Sequence, residues 1–311
     1  MTTRTVAMAG LAGVGVAACV EYRRARRLAD TWQPPAGERR RAGALTVRTT
    51  GDAGSPVLLL HGLVASGVFW GAAYDALAAR HRLVVPDLLG FGGSDRPEHG
   101  YGPDEHVQAL VRCLDVLGVE EPVAIGAHSL GCLVALRLAA THPERVSRVI
   151  GFGPPIYKNP ADARARVGAS GPMARLMALP GPVAQVACGW VCRHRSIAAR
   201  LAVLTHPRLP SAIASDAVQH TWTSYSKTLG GVILDADALG WLDAIDVPIV
   251  FIAGDHDPVV DHDLLVFLGE TRPGITVHTW IGEHDLPLVE AERCAAAIAR
   301  FVEVEVVADP I

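Results

Sequence analysis

Short apolar runs, each followed by a stretch with helical spacing, recur along most of the chain. The runs at 56–60 and 249–253 are continuous, which is typical of strands covered on both faces in a parallel sheet. Residues 45–49 instead alternate between apolar and polar positions, which predicts a half-buried strand. Further strands are expected at 82–86, 146–152 and 276–280, and helices at 69–79, 103–117, 261–268 and 288–302. This alternation predicts an α/β fold with a doubly wound, mostly parallel sheet.

The alternation is interrupted once, between residues 153 and 244. This stretch is rich in proline and glycine and holds several short helical patterns, including 183–192 and 212–229. Because the strand pattern resumes afterwards, we expect a helical cap inserted into one α/β core. The expected division is an N-terminal apolar segment, arginine-rich flank and linker at 1–43, a core formed by 44–152 and 245–303, and the cap at 153–244.

A nucleophile elbow is indicated by residues 123–131, where an apolar strand ends at Ser129 and a helical pattern begins directly afterwards. A nucleophilic serine must lie on a strained turn to project above the sheet, and its neighbours must be small. The usual form is Gly-x-Ser-x-Gly, and here Ala127 takes the first glycine position. The helix that begins at this turn would place a positive dipole end and free N–H groups near a developing oxyanion.

Composition and charge narrow the classes of function. Half of the 311 residues are hydrophobic and 19% are charged, so a large core is easily built. The net charge of −4 argues against a nucleic-acid partner, which would require a concentrated basic face. The six cysteines show neither a C-x-x-C motif nor zinc-finger spacing, so no metal site is expected. Cys188 and Cys192 are four residues apart on a predicted helix, and we interpret them as packing residues in preference to a metal or redox pair.

The N-terminus carries an uncharged apolar run at residues 6–20. At about 1.5 Å per helical residue the run is shorter than a bilayer core, so three roles are open: a span with snorkelling flanks, an interfacial segment, or the apolar region of a signal peptide. Residues 16–19 also loosely match a lipoprotein cleavage box. Arginines follow at positions 23, 24, 26, 27, 39, 40 and 41, and basic flanks favour retention on the cytoplasmic side. We therefore expect membrane attachment through residues 5–20, with the folded domain on the cytoplasmic side.

Four motifs agree in order and position with those of one family. They are His61-Gly62, the D-x-x-G-x-G-x-S pattern that runs from Asp87, the Ser129 elbow, and the Asp257 and His284 signals near the end of the chain. Over about residues 45–302 the chain therefore resembles the α/β-hydrolase superfamily, which implies the α/β-hydrolase fold.

The resemblance also implies catalytic roles. Chain order in the family is nucleophile, acid, base, which corresponds to Ser129, Asp257 and His284. Asp255 is the alternative acid, although it is better interpreted as a solvated turn residue. The backbone N–H groups of Leu63 and Leu130 are expected to form the oxyanion hole.

A serine nucleophile disfavours the branches that resemble epoxide hydrolases and haloalkane dehalogenases, which use aspartate. Serine with histidine and aspartate implies acyl transfer to water through an acyl-enzyme, with no metal and no organic cofactor. We expect a carboxylic-ester hydrolase. A C–C bond hydrolase, a lactonase, a thioesterase and a haloperoxidase-like enzyme remain open, and a non-catalytic binding protein is disfavoured because all three triad positions are filled.

Three large aromatic side chains of the predicted cap are candidates for substrate binding, namely Trp190, Trp222 and Tyr225. They would line a pocket for the apolar part of a small-molecule ester, or they form the core of the cap itself. The sequence predicts no particular oligomeric state.

Overall fold

The computed structural model describes residues 20, 22–27, 29–171, 174–176 and 181–303. These residues contain one eight-stranded sheet with the order β1-β2-β4-β3-β5-β6-β7-β8. The strands are β1 Arg39–Ala42, β2 Leu45–Thr50, β3 Pro56–Leu60, β4 Arg82–Pro86, β5 Val123–His128, β6 Val146–Phe152, β7 Ile249–Gly254 and β8 Ile275–Trp280. Strand β2 pairs antiparallel with β1 and β4, whereas β3 to β8 pair in parallel. The predicted mostly parallel sheet is confirmed.

The two central strands explain why the sequence shows continuous apolar runs. Every residue of β3 and every residue of β5 is buried, and the two strands pair in register with Leu58 opposite Ile125. Helices cover both faces of the sheet, so neither face of these strands meets water. The strand that leads to Ser129 therefore lies at the most protected position of the core.

Between β4 and residue 303, outside the 153–244 region, the helices of the described residues follow the predicted alternation. They are α1 Pro103–Val116, α2 Leu130–Thr141, α9 His262–Thr271, α10 Leu286–Val289 and α11 Ala291–Glu303. The helix expected at 69–79 is instead two 3₁₀ segments, Gly67–Phe69 and Ala72–Ala79. They are separated at Gly71, where an added Cβ would lie 2.7 Å from the carbonyl oxygen of Gln33, so an N-terminal segment packs directly on this break.

The chain between β6 and β7 is helical, as predicted for the region at 153–244. It contains α3 Pro160–Ala169, α4 Pro182–Arg193, α5 Arg195–Thr205, α6 Ser211–Ala217, α7 Trp222–Thr228, a π-helical turn Leu229–Leu234 and α8 Ala238–Leu242. The pattern expected as one helix at 212–229 is divided, because Thr221 caps α7 through a reciprocal pair of hydrogen bonds with Ser224. We refer to residues 153–244 as the helical insertion; its role as a cap remains a prediction.

The segment assigned to the N-terminal flank and linker contains the unpredicted edge strand β1. The side chain of Arg39 forms an ion pair with the buried Asp87, and Arg41 pairs with Asp95 at 2.6 Å. These arginines therefore hold the strand to the D-x-x-G-x-G-x-S loop. Residues 1–19, which include most of the predicted anchor, lie outside the described residues. Within the described ranges, no helix is long and apolar enough to cross a membrane.

Candidate active site

Ser129 occupies a strained turn between β5 and α2. Its backbone has φ 52° and ψ −120°, a conformation that residues other than glycine rarely adopt. Its N–H donates to the carbonyl oxygen of Phe152 at 2.9 Å, which ties the turn to β6. A Cβ at Gly131 would collide with the carbonyl oxygen of Leu60, so only glycine fits there. The geometry matches the elbow expected from the sequence, and Ala127 fits its buried position in place of the usual glycine.

A chain of two hydrogen bonds joins the three residues predicted to act together. The hydroxyl Oγ of Ser129 lies 3.0 Å from Nε2 of His284, and Nδ1 of His284 lies 2.7 Å from Oδ2 of Asp257. Asp257 follows β7 and His284 follows β8, so both lie beyond the carboxyl ends of parallel strands, beside the elbow. In this arrangement the hydroxyl donates to Nε2, and Nδ1–H donates to the carboxylate.

The carboxylate of Asp257 is buried, yet its surroundings favour the charged form. Burial alone would raise its pKa, but the hydrogen bond and charge of His284 and the N–H of Val259 at 2.9 Å outweigh that effect. The net result is a pKa below the ordinary value for aspartate. Asp257 is therefore ionised at neutral pH and fixes the proton of His284 on Nδ1.

Asp255, the alternative acid, has different partners. Its Oδ1 accepts a hydrogen bond from the N–H of Gly282 at 2.9 Å and lies 2.7 Å from Nδ1 of the exposed His256. Asp255 thus stabilises the turn between β7 and the loop after β8. The residue that contacts His284 is Asp257.

The two predicted oxyanion donors lie on segments that flank the nucleophile. Leu130 is the first residue of α2, and within the described residues neither its N–H nor that of Leu63 has a hydrogen-bond acceptor. The loop with Leu63 passes close to the nucleophile, because a Cβ added to Gly62 would lie 3.2 Å from Cβ of Ser129. Val64, the next residue, has φ 52°, so this loop is strained like the elbow it faces.

His61 supports the loop that carries Leu63 from behind. Its Nε2 accepts the N–H of Leu88 at 2.8 Å, and its Nδ1 lies 2.7 Å from the carbonyl oxygen of Gly62, to which it donates. Complete burial lowers its pKa to about 4, so the ring is neutral at physiological pH. His61 therefore connects the His-Gly loop to the Asp87 loop.

The Asp87 loop is a structural turn, as the sequence indicates. The carboxylate of Asp87 accepts the N–H groups of Gly67 at 2.7 Å and Gly93 at 2.6 Å. Gly90 and Gly92 have φ of 87° and 50°, where glycine carries no steric penalty. This turn holds the 3₁₀ segment that follows the loop that carries Leu63.

His128 contributes to the position of His284 through contacts that no sequence motif indicated. Its ring stacks on Phe69 with centroids 4.7 Å apart and lies 4.8 Å from the ring of His284. Its Nε2 lies 2.9 Å from the backbone oxygen of His284 and donates to it. Burial lowers its pKa to about 3, so it is neutral. The only sequence signal was a polar residue at the end of an otherwise apolar strand.

The three aromatic residues of the insertion differ in their surroundings. Tyr225 is buried in the apolar cluster that also contains Leu130, and Trp222 packs against this cluster with its ring 6.3 Å from that of Tyr225. Trp190 is 40% exposed, and its ring lies 5.2 Å from that of His194. Substrate binding by these residues remains a prediction, which the half-buried Trp222 fits better than the buried Tyr225 or the exposed Trp190.

Comparison with known proteins agrees with this fold. A family model described as "alpha/beta hydrolase fold" matches residues 55–290. The chain is 38% identical over 116 residues to the 2-hydroxymuconate semialdehyde hydrolase of Pseudomonas sp. (strain CF600), an alignment that covers 36% of this chain and 41% of that protein. It is 28% identical over 247 residues to the probable lysophospholipase BODYGUARD 4 of Arabidopsis thaliana, covering 74% of this chain and 59% of that protein. The chain thus matches less than two thirds of the length of each relative.

Solved structures share the fold at lower identity. The E-2-(acetamidomethylene)succinate hydrolase superposes with a TM-score of 0.68 and 20% identity, covering 86% of this chain and 99% of the other. A thermophilic esterase from Thermogutta terrifontis superposes with a TM-score of 0.65 and 21% identity, covering 86% of this chain and 98% of the other. At these identities the likeness establishes the fold alone.

Proposed function

The chain belongs to the α/β-hydrolase fold family, and from this premise we propose that it is a serine hydrolase with the triad Ser129, His284 and Asp257. The observation that carries the proposal is the pair of hydrogen bonds from Oγ to Nε2 at 3.0 Å and from Nδ1 to Oδ2 at 2.7 Å. Three residues from distant parts of the chain meet in the geometry that activates a serine hydroxyl.

In the proposed reaction, Ser129 Oγ attacks the carbonyl carbon of the substrate while His284 Nε2 takes its proton. The ionised Asp257 stabilises the imidazolium that forms. The carbonyl oxygen becomes an oxyanion that accepts the N–H groups of Leu63 and Leu130. Collapse of the tetrahedral intermediate expels the alcohol, which takes the proton from His284, and leaves an acyl-enzyme. Water then attacks the acyl group with His284 as base, and the acid is released.

The proposed substrate is a carboxylic ester with an apolar part. Trp222 of the insertion is half-buried and packs against the large apolar cluster of the core, which also contains Leu130, the residue after Ser129. An insertion at this place would act as a cap that excludes water from the acyl-enzyme. Ser129 is only 8% exposed, which fits a nucleophile beneath such a cap.

The test is labelling by a fluorophosphonate probe, followed by p-nitrophenyl esters of increasing chain length. We expect the wild-type protein to be labelled and to hydrolyse esters, and Ser129→Ala to lose labelling together with activity by about a thousandfold or more. The variant should keep the melting temperature of the wild type, because the change removes one partly buried hydroxyl. Retention of most activity by a folded Ser129→Ala variant would contradict the triad.

Hydrolysis of a C–C bond is the second candidate, because the similar Pseudomonas protein is named as a semialdehyde hydrolase. The same triad would serve this reaction. Parallel assays with p-nitrophenyl esters and a dienone acid separate the candidates. A kcat/KM on the dienone acid far above that on every ester would replace the ester proposal. A lactone and a thioester added to the panel would identify the remaining alternatives.

We also propose that residues 5–20 attach the protein to a membrane, with the folded domain on the cytoplasmic side. The support is the uncharged run at 6–20 and the arginines that follow it. Because Ala29 and Trp32 pack onto the domain, a shortened chain should begin at residue 20 and not after them. Full-length protein is expected in the membrane fraction and the shortened chain in the soluble one. Full-length protein in the soluble fraction without detergent would refute the attachment.

A further inference from the structure

The helical insertion brings two sulfur atoms and one imidazole together. Cys188 and Cys192 lie one turn apart on α4, with their Sγ atoms 3.8 Å apart. A ring nitrogen of His220 and both Sγ atoms all lie within 4.8 Å of one another. The histidine comes from the segment between α6 and α7, 28 residues after Cys192 in the chain. The sequence pattern of two cysteines alone did not reveal this third donor.

The imidazole of His220 is held with one nitrogen unpaired. Its Nδ1 lies 2.8 Å from the carbonyl oxygen of Ala217 and donates to it, while Nε2 is buried and has no hydrogen-bond partner within the described residues. A buried ring nitrogen without a partner is costly. A histidine whose other nitrogen donates to a backbone carbonyl is also the usual arrangement of a metal ligand.

Arg195 holds the two segments that carry these donors. Its guanidinium donates to the carbonyl oxygens of Cys192, Val218 and His220, and to Oε1 of Gln219. One side chain therefore joins the end of α4 to the segment that carries His220. The donors are positioned by contacts that do not depend on a bound ion.

The separation of the two sulfur atoms suits a thiophilic metal with tetrahedral coordination. Zinc–thiolate bonds of about 2.3 Å at the tetrahedral angle place two sulfurs about 3.8 Å apart, which matches the observed separation of the Sγ atoms. Two thiolates and one neutral imidazole are donors that Zn²⁺ prefers, and they balance its charge. Burial raises the pKa of Cys188 to about 12, so the thiol is protonated without metal, and binding would release that proton.

We propose that Cys188, Cys192 and His220 form a binding site for Zn²⁺ that fastens α4 to the segment before α7. The site leaves one coordination position for water or another small ligand. Because α7 carries Trp222 and Tyr225, bound zinc would fix the part of the insertion that holds these aromatic residues. The proposal is independent of the triad, since none of the three ligands belongs to it.

The test uses the full chain, reduced and treated with a chelator, and titrated with Co²⁺. We expect one equivalent to produce a thiolate-to-cobalt charge-transfer band and the strong visible bands of tetrahedral cobalt, and one equivalent of Zn²⁺ to abolish both. Competition with a chromophoric chelator then gives the Zn²⁺ affinity. Absence of the charge-transfer band in the wild type would overturn the proposal, and so would a disulfide between Cys188 and Cys192 in place of metal binding.

Variants separate this site from other histidines and thiols. Cys192→Ala and His220→Gln should each weaken Zn²⁺ binding by on the order of a hundredfold or more, since losing a direct ligand costs more than losing a group that only orients a ligand. Cys113→Ala removes a buried thiol of α1 and should leave the affinity unchanged. Zn²⁺ should raise the melting temperature of the wild type and of Cys113→Ala alone. If His220→Gln fails to fold, the Zn²⁺ affinity of Cys192→Ala and the cobalt spectrum of the wild type still test the site, because Cys192 is partly exposed and its replacement should be tolerated. Unchanged affinity in Cys192→Ala would refute the site.

Discussion

Nε2 of His128 donates a hydrogen bond to the backbone oxygen of His284 at 2.9 Å, so the residue before Ser129 holds the backbone of the proposed base. The two rings also lie 4.8 Å apart, and the other face of His128 is covered by Phe69. Ser129 and His284 are therefore fixed relative to each other by a contact outside the proposed triad.

Replacement of His128 by phenylalanine keeps the stacking on Phe69 and removes this hydrogen bond. The loop with His284 then loses one restraint, and we expect kcat to fall by about tenfold to a hundredfold with a smaller change in KM, because misplacement of a catalytic group mainly affects the chemical step. Steady-state kinetics on one ester measure the changes in kcat and KM separately, and a melting curve reports stability. An unchanged kcat with a lower melting temperature would assign His128 a purely structural role.

The two aspartates after β7 should differ strongly in their effect on activity. Asp257→Asn removes the charge 2.7 Å from Nδ1 of His284 and favours the wrong tautomer, so kcat should fall by about 10⁴-fold. Asp255→Asn is the matched control, because it changes the same charge in the same loop but touches only Gly282 and His256. Its loss should stay within about tenfold. The reverse order would make Asp255 the acid.

The sequence predicted those parts of the fold that depend on local pattern and on short motifs. The buried runs at β3, β5 and β7 and the turn at Ser129 could be recognised because few structures other than a covered parallel sheet accommodate them. Strand β1 was missed, because Arg39, Arg40 and Arg41 carry no strand pattern. They become a strand by pairing with β2 and by ion pairs to Asp87 and Asp95, which lie far along the chain.

The same limit applies to the sites. Ser129, Asp257 and His284 occupy positions that a motif marks, and the structure brings them together. The contact of His128 with the backbone of His284 joins residues 156 positions apart, and no local pattern encodes it. His220 likewise reaches the cysteines of α4 only through the packing of the insertion. Contacts of this kind follow from tertiary structure and not from spacing.

Gly153 lies directly behind the base. It has φ 58°, and an added Cβ would lie 2.9 Å from both Oδ2 of Asp257 and Nδ1 of His284. Gly153→Ala should displace their hydrogen bond and lower kcat/KM by about a hundredfold. Gly118→Ala is the control, since Gly118 has φ 66° with open space around it, so this variant carries the backbone strain alone. Gly118→Ala should lose about 1 kcal/mol of stability from the backbone strain, and Gly153→Ala should lose more, because the steric contact adds to the same strain. Equal activity in the two variants would contradict steric displacement of the triad.

Stability should fall as the pH drops below about 6.5, because four histidines of the described residues (His61, His106, His128 and His220) are buried with a lowered pKa. Burial lowers the pKa of His61 to about 4 and the pKa values of His106 and His128 to about 3. The unfolded chain takes up protons near pH 6.5, before the folded chain does, so their contribution is complete above that pH and is lost towards pH 4. Each histidine adds up to about 1.4 kcal/mol per pH unit to the slope of the free energy of unfolding against pH.

Chemical denaturation between pH 7.5 and 4.5 measures this slope. His106→Asn should lower this slope by up to about 1.4 kcal/mol per pH unit, which corresponds to one proton. His106 is a suitable site because it lies away from the proposed triad, with its Nε2 3.3 Å from Oγ1 of Thr228. His278→Asn replaces an exposed histidine of β8 and should leave the slope unchanged. A slope equal to that of the wild type in both variants would show that His106 takes up protons alike in the folded and unfolded chains.

Alanine substitutions of the three aromatic residues of the insertion should have different effects on activity and stability, because the residues differ in burial. Trp190 is 40% exposed, so Trp190→Ala should change neither ester hydrolysis nor the melting temperature by much. Tyr225 is buried within the apolar cluster, so its loss should lower the melting temperature and affect all substrates alike.

Trp222 packs at the edge of that cluster and is only half-buried, so part of its ring is free to contact a ligand. Trp222→Ala should weaken long-chain esters more than acetate by roughly 1–3 kcal/mol in kcat/KM. Trp222→Phe, which keeps an aromatic ring, should recover most of that difference. Values of kcat/KM on one short and one long ester, with a melting curve for each variant, test the ranking. A uniform loss on both esters in Trp222→Ala would assign this residue to the core of the insertion and remove the main support for an apolar substrate.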